Sequence, residues 1–223
     1  MIAPPERSPE RDAAIDALLP RVPAQGWTTT ALRAALRDIG AEPDDAELLF
    51  PGGSVDLIEA FIDLADRRME ADAQEAGLGE LRLPERVRAV IALRLQRNRP
   101  HKEAIRRAVG ILAWPGNTAP AARCAGRTID AIWHAAGDRA ADFSWYTKRA
   151  TLAAVYTATL LYWLRDDSEE DEATLAFLDR RLEGVGRVGK LRRRAGDALR
   201  RLRPGGAPPP GDGATESDNV SIS

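Results

Sequence analysis

The chain has 223 residues, enough for one generous domain or for a small one plus a larger one. Alanine, leucine and arginine dominate and β-branched residues are sparse, which favours helix, while the single cysteine, Cys124, excludes an internal disulfide. The net charge of −2 excludes no function by itself, because the 32 basic and 34 acidic side chains are strongly segregated along the sequence. The first ten residues, MIAPPERSPE, contain acids and prolines and no apolar run. They have the character of neither a secretory signal nor a basic import peptide, so a cytoplasmic protein is expected, with residues 1–9 disordered. A first helix is predicted over Glu10 to Leu19, followed by a turn at Gln25-Gly26-Trp27. Thr28 or Thr29 then caps a second helix that Gly40 ends, and a short third runs from Pro43 to Leu49, stopped by Phe50-Pro51-Gly52-Gly53. Ser54 opens a long fourth helix to about Ala76, with Val55, Ile58, Ile62, Ala65 and Met69 spaced as one apolar stripe. Pro84 opens a fifth, which Pro100 breaks, and a sixth covers His101 to Trp114. The seventh extends from Pro120 to Ala136 and is closed by Gly137. An eighth ends near Leu164, and the acidic loop from Asp166 to Glu172 leads into a ninth over Ala173 to Gly184. A glycine-broken joint (Gly184, Gly186, Gly189) precedes a last, basic helix from Lys190 to Arg203. Residues 204–223 are rich in Pro, Gly and Ser and are expected to be disordered. The predicted organisation is all-α: a three-helix unit at 10–53, a larger helical domain at 54–186, the basic helix at 187–203, and the tail.

The eighth helix stands apart. From Ala150 to Leu164 fifteen residues carry no charge, bracketed by Arg149 and Arg165. As a helix this run is roughly 23 Å long, short of the roughly 30 Å that spans a bilayer. A helix apolar on nearly every side but too short to cross is buried by other protein, as a central core helix or as one wall of an apolar cavity. Just before it, aromatics sit among charges: Asp142, Phe143, Trp145, Tyr146, Lys148 and Arg149. On a helix Asp142, Trp145 and Arg149 share one face. Trp145 fits either a buried indole with its N–H satisfied or a partly exposed anchor for a protein partner.

Three short helices followed by a long one resemble the N-terminal part of TetR-type regulators. The matching pieces are Thr29-Thr30-Ala31-Leu32-Arg33-Ala34-Ala35-Leu36-Arg37-Asp38-Ile39-Gly40 and, a few residues on, Leu48-Leu49-Phe50-Pro51. In a DNA-binding member the third helix enters the major groove, and its surroundings must neutralise phosphate. Here, between Trp27 and Leu57, Arg33 and Arg37 face six acids: Asp38, Glu42, Asp44, Asp45, Glu47 and Asp56. The would-be recognition helix holds three carboxylates and no base-reading side chain. Scaffold is the expected role of this unit. A TetR-type transcriptional regulator that binds DNA is the alternative.

The stretch from Trp133 to Tyr156 is similar to the TetR-like, lipid-binding auxiliary proteins of coenzyme Q (ubiquinone) biosynthesis. Its carriers are Trp133-His134, Ala136-Gly137-Asp138, Asp142-Phe143, Trp145-Tyr146-Thr147, Arg149-Ala150, Leu152-Ala153-Ala154, Tyr156 and Asp167-Ser168, with Gln25-Gly26-Trp27-Thr28 near the N-terminus. The resemblance implies a homodimeric all-α protein of TetR architecture that binds no DNA; no nucleophile with a base in evident reach appears in the sequence, so no catalysis by this chain alone is expected. It implies an isoprenoid lipid or quinone held in an apolar pocket of the C-terminal domain, and association with the di-iron hydroxylase that acts on demethoxyubiquinone. Asp142, Trp145, Tyr146 and Arg149 correspond to the family's surface patch for that hydroxylase.

The pocket cannot be carried over residue by residue. From the sequence, its candidate lining is Ile111, Leu112, Ile129, Ile132, Leu152, Val155, Tyr156 and Leu160, each of which also fits ordinary core. The last helix has seven bases and one acid between Lys190 and Arg203. Its stripe of Leu191, Leu199 and Leu202 with small residues, set among Lys190, Arg192, Arg193, Arg194, Arg200 and Arg201, reads as a surface for an anionic membrane. A solvated helix or non-specific RNA binding are the other readings. Peripheral association with the cytoplasmic membrane is therefore expected. His101 and His134 lie far apart with no Cys or His at ligand spacing, so no metal is expected.

Overall fold

A computed structural model describes residues 3–137 and 145–185, without the side chains of Trp145 and Tyr146. All regular structure among these residues is helical: α1 (Pro9–Leu18), α2 (Val22–Gln25), α3 (Thr29–Asp38), α4 (Asp45–Leu49), α5 (Gly53–Glu75), α6 (Leu83–Asn98), α7 (Lys102–Leu112), α8 (Thr118–Ala135), α9 (Trp145–Trp163) and α10 (172–185). The predicted basic helix at 190–203 and the tail at 204–223 lie outside the described residues, as does Asp142.

Local chemistry sets the boundaries. Ser8 is extended and its hydroxyl accepts from Arg11 N–H at 3.2 Å, with Pro9 opening α1. Thr28 does the same for α3 through Ala31 N–H at 3.1 Å. Gly137 closes α8 at φ +73°, where a Cβ would stand 3.1 Å from Arg86 Nη1, so this end requires glycine. Two local details differ from the sequence expectation. α2 is an additional single turn, which apolar spacing cannot reveal at four residues. α5 starts at Gly53, one residue before the predicted Ser54 cap, and Asp56 accepts from Gly52 N–H at 3.4 Å instead. The segment before α1, expected to be disordered, is tied down: Arg7 grips Asp63 through two nitrogens at 2.6 and 2.8 Å.

α5 is the spine. Its N-terminal half (Leu57, Ile58, Phe61, Leu64) closes a core with α1, α3, α4 and α7, and its C-terminal half (Met69, Ala73) closes a second with α6, α8, α9 and α10. Trp27 ties the N-terminal unit to the larger one. It is buried, donates from Nε1 to Ala104 O at 2.9 Å and lies 5.3 Å from the Phe61 ring. α5 also buries three carboxylates on its packed faces, each met by arginine from another element: Asp63 by Arg7, Glu59 by Arg123 and Arg127, and Asp66 by Arg94. Buried charge is tolerated here because every carboxylate is paired.

The start of α10 is built by Asp166. Burial works against its charge, yet donors from Ser168 and Thr174 hold the carboxyl down at about 2. Its oxygens accept from Ser168 N–H at 2.9 Å and Thr174 N–H at 2.8 Å. This places α10 against α6, where Asp179 pairs with Arg88.

Candidate functional site

The helices α5, α6, α7, α8 and α9 line a cavity of about 290 Å³. Phe61 and Ala65 of α5, Leu95 of α6, Ile105 and Leu112 of α7, Ile129 of α8, and Leu160 and Trp163 of α9 supply apolar wall. Small residues create the space. Ala108, Ala121, Ala125 and Ala153 stand where larger side chains would fill it. Ala113, Ala125, Thr157 and Leu161 are exposed, so the cavity opens to solvent between α7, α8 and α9. Trp114, 71% exposed, is adjacent in sequence to this rim and lines a shallower groove with Trp27 and Ile111.

A polar cluster interrupts the apolar wall. The Arg94 guanidinium pairs with Asp66 at 3.0 Å and donates from Nε to the Tyr156 hydroxyl at 2.8 Å. Thr128 Oγ1 donates to Asp66 at 2.9 Å, and Asn98 Nδ2 donates to Arg94 O at 2.8 Å. Arg94, Asn98, Thr128 and Tyr156 belong to the wall, while Asp66 stands behind it. Burial lifts the Asp66 carboxyl to about 6, against the pull of Arg94 and Thr128. Burial also opposes the charge on Arg94, but Asp66 and Tyr156 hold it above its ordinary value. Burial pushes the thiol of Cys124, a wall residue, up to about 11, which works against its ionisation. Among the described residues no three His, Cys, Asp or Glu side chains gather in a way that could hold a metal ion.

Of the residues that the sequence nominated for the pocket, Leu112, Ile129, Tyr156 and Leu160 line the cavity. Ile132, Leu152 and Val155 are packed into the second core, and Ile111 faces the shallow groove. The sequence reading missed the contributions of α5 and α6, including Arg94. The signal for α6 in the sequence is an arginine and an asparagine, Arg94 and Asn98, among the apolar positions of a helix.

From Ala150 onward α9 is apolar all round yet covered on one side only. Leu152, Val155, Tyr156, Thr159 and Trp163 are buried, while Ala150, Ala154, Thr157 and Leu161 form an exposed line along the helix. At its tip Tyr162 stacks on Phe177 of α10, ring centroids 4.6 Å apart. In the first turns of α9, Arg149 reaches Asp130 of α8 at 2.6 Å, which clamps this helix start onto α8. Asp142 and the side chains of Trp145 and Tyr146, the rest of the nominated partner patch, lie outside the described residues, as do the nominated membrane residues Lys190 to Leu202.

The N-terminal unit keeps its acidic character in three dimensions. α4 exposes Asp45 and Glu47 with Leu48, and Arg33, one of the two bases between Trp27 and Leu57, pairs with Glu47 at 2.8 Å. Among the described residues no helix is long and apolar enough to cross a membrane.

The profile of the COQ9 family matches residues 118–189, the part of the chain that begins with α8 and the cavity's outer wall. The curated rat protein "Ubiquinone biosynthesis protein COQ9, mitochondrial" is 32% identical over 195 residues, covering 83% of this chain and 62% of the rat protein. The human protein of the same name is 32% identical over 195 residues, with 61% of its length covered. The chain therefore spans somewhat less than two thirds of these relatives. The Schizosaccharomyces pombe protein of that name is 32% identical over 177 residues, covering 78% of this chain and 69% of its own length. A solved structure, that of the TetR transcriptional regulator from Nitrosomonas europaea ATCC 19718, matches with a TM-score of 0.64 at 28% identity, over 79% of this chain and 97% of that one. With a TetR-like fold and a counterpart along most of the fission-yeast protein, the chain belongs to the COQ9 family.

Proposed function

We propose that this chain acts in ubiquinone biosynthesis as a non-catalytic lipid-binding adaptor: it holds an isoprenoid quinone intermediate and presents it to a di-iron demethoxyubiquinone hydroxylase at the membrane surface. The observation that carries this reading is the open apolar cavity. Its volume of about 290 Å³ sits at the small end of ligand pockets, which run from about 300 to 1,000 Å³. That suits a ring and the first part of a tail, with the remaining tail leaving through the mouth between α7, α8 and α9. The names of the relatives, which place those proteins in ubiquinone biosynthesis, support the chemical class of the guest. In this reading Asp142, Trp145, Tyr146 and Arg149 form the docking patch for the hydroxylase, and the arginine-rich segment from Lys190 to Leu202 holds the protein to an anionic membrane. The exposed line of α9, together with α10, is the surface through which two copies pair.

DNA binding is disfavoured on charge. The Arg33–Glu47 pair removes one of two local bases, and the exposed α4 carboxylates would meet phosphate. The adaptor reading is tested with Trp145→Lys. The variant is expected to keep its helical circular dichroism and its bound lipid while losing co-purification with the hydroxylase by at least about tenfold. Retained co-purification would overturn the docking assignment, and global unfolding would make Trp145 a core residue.

A further inference from the structure

The turn between α7 and α8 joins an exposed indole to an uncharged surface. From Ala108 to Ala122 no side chain is charged, and Ala113, Trp114, Pro115, Gly116, Ala119 and Ala122 are exposed. A single exposed apolar side chain is ordinary, but Trp114 belongs to a stretch that borders an opening. Leu112, Ala113 and Ala121, on either side of the turn, line the cavity, and the exposed Leu161 lines it from α9. The turn meets its own polar groups. Asn117 Nδ2 donates to Ile111 O at 2.8 Å, and Asn117 N–H donates to Trp114 O at 2.8 Å, which lowers the cost of taking this backbone out of bulk water. Arg106 and Arg107 end the uncharged stretch on the α7 side. Both are exposed and share Glu103 as a carboxylate partner, so the three side chains carry a net positive charge. Arg107 and Trp114 also line the same shallow groove.

We propose that the α7–α8 turn is a bilayer contact: Trp114 enters the headgroup region of an anionic phospholipid membrane beside Arg106 and Arg107, and so brings the cavity mouth to the lipid. An indole, with a broad apolar ring and one N–H donor, suits that depth. Arginine at the level of the phosphates adds charge attraction. A protein partner is disfavoured, since a polar rim fixes the register of such an interface and here small apolar residues flank the indole. The contact is separate in sequence from the arginine-rich segment that begins at Lys190. Its purpose rests on the lipid-binding reading of the cavity, but the contact itself does not.

The test combines sedimentation and tryptophan fluorescence of the whole protein with vesicles of equal parts phosphatidylcholine and phosphatidylglycerol, the acyl chains brominated near the glycerol. The native protein is expected to sediment with the vesicles and to be quenched by the bromines. Trp114→Phe keeps a ring and is expected to bind within about threefold of the native protein while losing most of the quenching. Trp114→Ser is expected to bind at least about tenfold more weakly, and Arg107→Gln about fivefold more weakly, each with an unchanged melting temperature. Full quenching in Trp114→Phe, or native sedimentation of folded Trp114→Ser, overturns the contact. A native protein that stays in the supernatant overturns it as well. Quenching through Trp114 in a protein whose organic extract holds no lipid supports the contact and removes the carrier reading, so the two fail separately.

Discussion

At the scale of single residues, Asp66 ties the site to stability. Its carboxyl titrates at about 6 in the folded protein against 3.8 ordinarily, so between these values the folded state holds more protons than the unfolded chain. Stability contributed by this group is therefore full below the unfolded value and is lost as pH rises through the folded one. Two pH units correspond to roughly 3 kcal/mol at most. Urea unfolding from about pH 4 to pH 7 is expected to show Asp66→Asn with a flatter fall than the native protein across this window. Parallel slopes would mean that Asp66 titrates at its ordinary value. None of this was legible in the sequence. The apolar stripe of α5 is visible in the sequence, but it says nothing of where the acids between its members go. What buries them is arginine from distant positions, with Arg7 56 residues from Asp63 and Arg123 64 residues from Glu59.

At the scale of elements, helix starts and stops were the most legible part, because proline, glycine and capping hydroxyls act within one turn. The apolar run of α9 was legible as a helix that needs cover, but not which side each neighbour takes. Periodicity defines a face, whereas the split of that face between core and cavity is set by the small residues opposite it on α7 and α8. This is why Leu152 and Val155 fit the pocket pattern and yet pack in the core. The uncovered line of α9 carries its own prediction. Ala154 is exposed and lies off the cavity wall. If two copies pair through this line as proposed, the native protein is a dimer in light scattering and Ala154→Glu is a monomer of unchanged helical content, because a desolvated lone carboxylate costs about 2–5 kcal/mol at an apolar interface. A monomeric native protein would overturn the pairing, and a dimer unchanged by the substitution would move the interface elsewhere.

At the scale of the whole molecule, the fold joins an acidic three-helix unit to a helical domain hollowed between α5 and α9. The TetR-like architecture was legible from the succession of three short helices and a long one, and the solved TetR regulator matches it. The hollow itself was not, since an unfilled volume leaves no residue to read. It follows from small residues on three neighbouring helices, Ala108 of α7, Ala121 and Ala125 of α8 and Ala153 of α9, lining one volume. The account's central claim, that this hollow carries a lipid, is met most directly by mass spectrometry of an organic extract of the purified protein, native and Ala125→Phe side by side. Ala125 sits exposed on the rim, so the phenylalanine narrows the mouth without disturbing the core. The account predicts an isoprenoid quinone or similar oxygen-bearing lipid with the native protein, and its loss by about tenfold or more in a variant whose melting temperature is unchanged. A native protein that carries no lipid, or an equal lipid load in both proteins, would contradict it.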